Sequence, residues 1–350
     1  MIQLEDNIKL IQLEELVETR LAIEENAKID VNDDVESKNT RFLYRVDYCR
    51  KNKIYSPLDL EINPVKSAYT EPEDEMEIAV MLNIDGSDNS YKSLKVVGGE
   101  FYKSLTLKLG LMYVYNTAEN SEYNFANQKE TVIDNFISKL VQQNIRAEFY
   151  MEDLFSEQHY IEQVYFRAIE ANSHYLMTGY HALKGPLCKN SSQRAGIHYL
   201  LSKVKLPFIL FKEGNTRLEK KNKGYNWLFV FDHNYINSFK IFKYFSLFID
   251  REKDNVYGYG LYPSYIPFDN FGKEFLESCN NMGIKHFSYE AEPYVKKISE
   301  NVCEKVNFGV LSFDFVVFYN NFEKYRITEE NSESLKIIQK CKSSICVLNG

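Results

Sequence analysis

Residues 77–94 read EIAVMLNIDGSDNSYKSL: an apolar run of strand length, then Asp85-Gly86-Ser87, then a segment of helical character. Residues 225–242, YNWLFVFDHNYINSFKIF, follow the same plan, with Asp232 closing the strand. Self-similarity along a chain is weighed before any single motif, because it fixes architecture. The two stretches read as the first strands of two copies of one domain, and only the first copy keeps a glycine-containing turn after its strand.

Outward from 77–94, short apolar or aromatic-rich runs predict strands near 77–84, 105–115, 145–151, 173–178 and 207–212. From 225–242 the same pattern predicts strands near 226–231, 255–261, 285–289, 312–318 and 344–348. Helical periodicity fills the gaps. Over 129–143 it places Val132, Ile133, Phe136, Ile137, Leu140 and Val141 on one face. Ile236, Phe239, Phe242 and Phe245 share a second helix, and Val295, Ile298, Val302 and Val306 a third. Strand–helix alternation predicts right-handed crossovers and parallel sheets covered by helices.

The expected fold class is therefore α/β, with two doubly wound, five-stranded parallel-sheet domains at 76–213 and 225–350. A basic linker, 214–224, joins them, and its run Arg217 to Lys223 (RLEKKNK) reads as a solvated segment. Residues 1–75 read as an extension, helical over about 3–29 through Leu10, Leu13, Val17 and Leu21, then irregular around Pro57, Pro64 and Pro72.

A chain of 350 residues holds two such domains, each of roughly 110–140 residues and large enough to bury a core. The 26 Tyr and 24 Phe, against one Trp, read as core and interface filler. A net charge of −8 argues against a general binder of nucleic acid or anionic membranes. No run approaches the roughly 18–20 apolar residues of a membrane span. The start, MIQLEDNIKL, lacks the apolar core of a secretory signal. The six cysteines, Cys49, Cys188, Cys279, Cys303, Cys341 and Cys346, have no framework spacing, so free thiols and a cytoplasmic location are expected.

Three features together resemble the universal stress proteins that carry two such domains in one chain. They are Asp85-Gly86-Ser87 after the first strand, the segment GYHALKGPLCKNSSQRAGIHYLLSKVKLPFILFK at 179–212, and a weaker echo ending in SSICVLN at 343–349. The resemblance covers roughly 77–349. It implies the adenine nucleotide alpha-hydrolase-like superfamily, strand order 3-2-1-4-5 in each domain, and pairing of domains through their last strands. Within one chain that pairing would make a pseudo-dimer.

In an open parallel sheet, ligands sit beyond the carboxyl ends of the strands where strand order reverses. The candidate crevice is lined by Ile84, Asp85, Gly86 and Ser87 on one side, and by Gly179, Lys184, Gly185, Gly196 and Ile197 on the other. Asp85 can accept hydrogen bonds from a ribose or base. Glycines let backbone N–H groups approach phosphates, a helix N-terminus favours an anion, and Lys184 adds positive charge. The plainer reading is that Ser87 or Asp88 caps a helix and that Gly179 and Gly185 only make turns. The family's ATP binders carry Gly-x2-Gly-x9-Gly-Ser/Thr. Here Ala182 stands at the second glycine, Gly185 and Gly196 remain at altered spacing, and Ile197 replaces the hydroxyl residue, with Ser191 or Ser192 as substitutes. The implied cofactor is one ATP or AMP, with no metal beyond nucleotide-associated Mg.

The second half has no glycine between Gly309 and Gly350, and Glu323, Glu329 and Glu330 would repel phosphate. It reads as a degenerate copy that binds no nucleotide. Other chemistries lack their motifs: there is no phosphate-binding P-loop, dinucleotide fingerprint, zinc-protease helix or nucleophile elbow. His181, His198 and Cys188 follow no metal-ligand spacing. The family's nucleotidyl-transfer relatives carry a His-x-Gly-His signature that is also absent. The expected function is that of a non-enzymatic regulatory or adaptor protein with a protein partner, and with neither nucleic acid nor membrane. The alternative is an architectural subunit of a larger assembly with both sites lost. Weak hydrolysis of bound ATP is a third, lesser reading.

Overall fold

A computed structural model of the protein describes residues 78–85, 87–101, 107–115, 132, 134–141, 145, 147–153, 160–180, 193–212, 216–217, 219–221, 223–263, 271–294, 297–321 and 332–350. The extension 1–75 and its expected helix lie outside these residues. Among the described residues ten strands form in order: β1 (Ile78–Ile84), β2 (Leu107–Tyr115), β3 (Ala147–Asp153), β4 (Tyr175–Gly179), β5 (Phe208–Phe211), β6 (Asn226–Asp232), β7 (Asn255–Pro263), β8 (His286–Tyr294), β9 (Phe315–Asn320) and β10 (Ser344–Asn349). Strands β1, β4, β5 and β10 are buried at every position. They read as largely apolar runs because a strand covered on both faces of its sheet has few positions open to water.

The strands make one sheet in the order β3-β2-β1-β4-β5-β10-β9-β6-β7-β8. The strands of each half run in the order 3-2-1-4-5, and the two sets continue into one ten-stranded sheet through the last strand of each half, β5 and β10. Every pair is parallel except β5 with β10, which run antiparallel with Leu210 opposite Ile345, Ile209 opposite Cys346 and Phe208 opposite Val347. A buried β5 edge without a partner would leave its ladder groups unsatisfied, and β10 supplies their partners.

The helices are α1 (Asp88–Val96, continued by a wider π-type turn, Val97–Phe101), α2 (134–141), α3 (Tyr160–Glu170), α4 (Gln193–Lys203), α5 (Lys240–Phe245), α6 (Phe271–Asn281), α7 (Ile298–Phe308) and α8 (Glu333–Lys340). The six-residue apolar face expected over 129–143 is narrower than that. Phe136 and Leu140 are buried, but Ile137 is 46% and Val141 73% exposed. The stripe at 132, 136 and 140 faces the core, and a residue one step further turns about 100° away. The helix expected to carry Ile236 and Phe239 begins instead as a 3-10 turn, Ile236–Phe239, before α5.

The aromatic excess lies in the core. Trp227 stacks on Phe315 at 4.2 Å. Phe101 and Tyr175, from the first half, meet Phe248, from the second, at 4.7 and 5.1 Å. The seam between β5 and β10 is also bonded by helix ends. The last carbonyls of a helix have no partner within it. The Asn349 amide donates to the carbonyls of Leu200 (2.9 Å) and Val204, and the Asn320 amide to that of Leu201 (3.0 Å), at the end of α4. In return, the Lys212 ammonium donates to the carbonyls of Ile338 and Cys341 at the end of α8. Each half caps a helix of the other.

The run expected to be a solvated linker is anchored. Arg217 is 5% exposed and joins Glu100 of the first half (Nη1 to Oε2, 3.1 Å) to Asp254 of the second (Nε to Oδ1, 2.7 Å). Burial opposes its charge, but hydrogen bonds to and attraction by Asp254, with help from Glu100, hold its pKa above the ordinary arginine value. Lys220 pairs with Asp314. Asp254 is fully buried and also accepts from the Tyr225 N–H (2.8 Å), the Asp250 N–H (2.9 Å) and the Trp227 indole N–H (3.0 Å). Gly224 is required here, since a Cβ would stand 1.8 Å from the Lys253 carbonyl oxygen.

Removing one partner of a buried charge pair typically costs about 3–5 kcal/mol. Asp254→Ala is therefore expected to lower unfolding free energy by about that amount. Urea titration followed by Trp227 emission measures it, since Trp227 is the chain's one tryptophan.

Candidate functional site

Strand β1 pairs with β2 on one side and β4 on the other, so strand order reverses at β1. The carboxyl ends of β1 and β4 thus flank the crevice that a doubly wound sheet offers a ligand. Ile84 is buried and its side chain belongs to the hydrophobic core. Asp85 follows it, and its Oδ1 accepts from the Ser87 N–H at 2.9 Å and the Ser87 hydroxyl at 2.6 Å. An aspartate that bonds the backbone two residues on makes an Asx turn. Ser87 then caps α1, its Oγ accepting from the Ser90 N–H at 3.3 Å.

The second half repeats this turn. Asp232 Oδ1 accepts from the Asn234 N–H at 2.9 Å and the Asn234 side-chain amide at 2.8 Å. Ser238 Oγ donates to the Asp232 carbonyl at 3.2 Å, much as Ser90 Oγ donates to that of Ser87 at 2.9 Å. The aspartates that first marked the repeat therefore share a local task, which is to turn the chain out of a central strand.

On the opposite side, Gly179 ends β4 and pairs with Phe211 of β5. Gly196 and Ile197 lie inside α4, where both are buried. Gly86, Lys184, Gly185, Ser191 and Ser192, expected near a phosphate, lie outside the described residues, as do His181 and Cys188.

Three residues absent from the sequence-based reading tie the crevice together from below. The Asn83 amide donates to Thr178 Oγ1 at 2.9 Å, joining β1 to β4. The Tyr160 hydroxyl, at the start of α3, donates to Asn83 Oδ1. All three are buried. Burial, then the nearby Asp85 carboxylate, push the Tyr160 phenol well above its ordinary pKa, so it stays protonated and remains a donor. The same causes, with Tyr91 third, push Tyr113 at the end of β2 up to about 12. Beneath Asp85, then, lie neutral amide and hydroxyl groups. The sequence did carry a signal for the pair: one polar residue stands near the end of each of two otherwise apolar strands, IAVMLNI and YLMTG.

Among the described residues no cluster of three or more His, Cys, Asp or Glu side chains is arranged to hold a metal. No described helix is long and apolar enough to cross a membrane. Cys279, Cys303, Cys341 and Cys346 are free, buried thiols, while Cys49 and Cys188 lie outside the described residues.

No protein-family model and no curated protein matches the chain. Among solved structures it is similar to a universal stress protein from Archaeoglobus fulgidus DSM 4304, at a TM-score of 0.55 and 15% identity, over 77% of this chain and 96% of that one. A functionally unknown protein from Pseudomonas aeruginosa PAO1 aligns at a TM-score of 0.47 and 10% identity, over 79% and 93% of the two chains. The first likeness is one of fold: an α/β chain built on a mostly parallel sheet.

Tyr160→Phe removes one donor and leaves Asn83 Oδ1 short of a buried partner, which should cost about 1–3 kcal/mol. Because folding raises this phenol's pKa, its stabilisation is complete below the unfolded value near 10 and is lost as pH rises beyond it. Urea midpoints of wild type and variant should differ by a constant amount from pH 6 to 9 and converge above pH 10.

Proposed function

We propose that this chain is a non-enzymatic, universal-stress-type regulatory or adaptor protein of the cytoplasm. Its first half holds one adenine nucleotide, ATP or AMP, in the crevice beyond β1 and β4. The observation that carries the reading is the position of the Asp85 turn at the point where strand order reverses, above a floor of neutral hydrogen-bonding side chains.

In this reading Asp85 faces the ribose or base, and Ile84, Gly86 and Ser87 shape the near wall. Gly179, Lys184, Gly185, Gly196 and Ile197 form the far wall, with Lys184 supplying positive charge to the phosphates. Magnesium enters only with the nucleotide. The second half binds no nucleotide, and its role is to pair with the first and to present a surface to a protein partner. The nucleotide acts by changing the affinity for that partner, since a ligand shifts an equilibrium only through differential binding.

A second reading is favoured by one specific feature. Asp85 already accepts two hydrogen bonds from Ser87, just as Asp232 does from Asn234 in the half that lacks the glycines. On that reading both turns are structural, and the chain is an architectural subunit of a larger assembly.

One experiment separates the two. The protein is purified without added nucleotide and denatured, the supernatant is assayed for adenine nucleotides, and ATP is then titrated calorimetrically into stripped protein. The regulatory reading expects up to one nucleotide per chain, and at least a tenfold loss of affinity in Asp85→Ala with Gly185→Val. No released nucleotide and no binding at millimolar ATP would select the architectural reading.

A further inference from the structure

Two thiols far apart in the sequence face each other in the second half. Cys303 lies on α7, and Cys341 is the residue that ends α8. Their Sγ atoms are 3.6 Å apart and hydrogen-bonded, in buried surroundings where Cys303 is 9% and Cys341 2% exposed. A third group joins them from the first half: the Lys212 ammonium, bonded to the carbonyl of Cys341 itself and to that of Ile338. A cation near a thiol favours the thiolate, which is the nucleophilic form.

We propose that Cys303 and Cys341 are a redox-active dithiol that closes to a reversible disulfide when the protein meets a peroxide.

The two sulfurs stand in different surroundings, Cys303 within α7 and Cys341 at the C-terminal end of α8. Cys303 is held below the ordinary thiol pKa, first by the hydrogen bond it shares with Cys341 and then, against burial and the Glu333 carboxylate, by the cations of Lys340 and Lys212. Cys341 is pushed up by that same shared bond and by burial. It also sits at a helix C-terminus, where a negative charge is disfavoured. Cys303 is thus the attacking thiolate, and Cys341 keeps its proton until the second step. Cys279 and Cys346 are each pushed up by burial, and neither has a described thiol bonded to it.

In the first step the Cys303 thiolate attacks one oxygen of hydrogen peroxide and the O–O bond breaks. The departing hydroxide takes up a proton as water, and Cys303 becomes a sulfenic acid. In the second, Cys341 Sγ attacks Cys303 Sγ. The S–S bond forms, the S–O bond breaks, and hydroxide leaves with the Cys341 proton as a second water. Two thiols and one peroxide give one disulfide and two waters, with two electrons passing from the sulfurs to the peroxide. A disulfide needs its sulfurs at about 2.05 Å. The pair must therefore close by about 1.5 Å from its 3.6 Å separation. A dithiol reductant reverses the reaction by exchange. The product fastens α7 to α8, the helix whose last turn Lys212 already caps across the seam.

The test uses the full chain. Reduced protein is exposed to one to five equivalents of hydrogen peroxide, remaining thiols are alkylated under denaturing conditions, and peptides are mapped by mass spectrometry. The expected result is a peptide pair linked through Cys303 and Cys341, two hydrogens lighter than the free peptides and released by dithiothreitol. In Cys341→Ser, dimedone should label Cys303 as a trapped sulfenic acid. Recovery of Cys303 and Cys341 as free alkylated thiols from oxidised wild type would overturn the proposal. So would oxidation of Cys303 to the sulfinic acid with no linked pair, and neither result depends on the folding of a variant.

Discussion

The antiparallel contact between β5 and β10 is the constraint on which the rest of the described structure hangs. Parallel pairing orders five strands on each side of it, but the two sets become one sheet because these two edges meet. The pairing is short, only three matched residues, and its backbone bonds alone would contribute a few kcal/mol at most. The rest is recruited from outside the ladder. Asn320 and Asn349 reach across to the end of α4, and Lys212 reaches back to the end of α8. A helix end buried against the opposite half would otherwise leave carbonyls without partners. Neither half can separate without exposing them.

The segment between the halves locks the same relation from a second direction. Arg217 is bonded to a carboxylate on each side, and Asp254 gathers donors from Arg217, Tyr225, Trp227 and Asp250. A buried ion pair adds little stability over an apolar replacement, because desolvation offsets much of its attraction. What it does add here is a penalty for any other arrangement, since a shift of β6 against the first half would strand a buried charge. The aromatic contacts of Phe101 and Tyr175 with Phe248 provide the apolar part of the same junction.

Against this rigid frame, the crevice beyond β1 and β4 is built from small devices. The Asx turn at Asp85 and the cap at Ser87 direct the chain out of β1, and Asn83, Thr178 and Tyr160 fix the spacing of the two strands beneath. The repeat of the turn at Asp232 shows how one local solution can serve two halves whose surroundings differ. A site that holds its carboxylate in a turn presents it in one orientation.

Much of this was legible in the chain itself. β1, β4 and β10 are found where short apolar runs were read, because a strand buried on both faces writes most of its length into the sequence. The cap at Ser87 follows from the preference of short polar side chains for helix starts. The sequence could not decide which residues meet across long separations. Periodicity put Ile137 and Val141 on an apolar face but could not say how wide a face the core would cover. A basic run looked like solvated linker until Glu100 and Asp254 were placed on either side of Arg217. Cys303 and Cys341 had no spacing to mark them and became a pair only when α7 packed on α8. Local pattern encodes which groups must be buried. Only the assembled sheet, with its one antiparallel seam, determines what each of them is buried against.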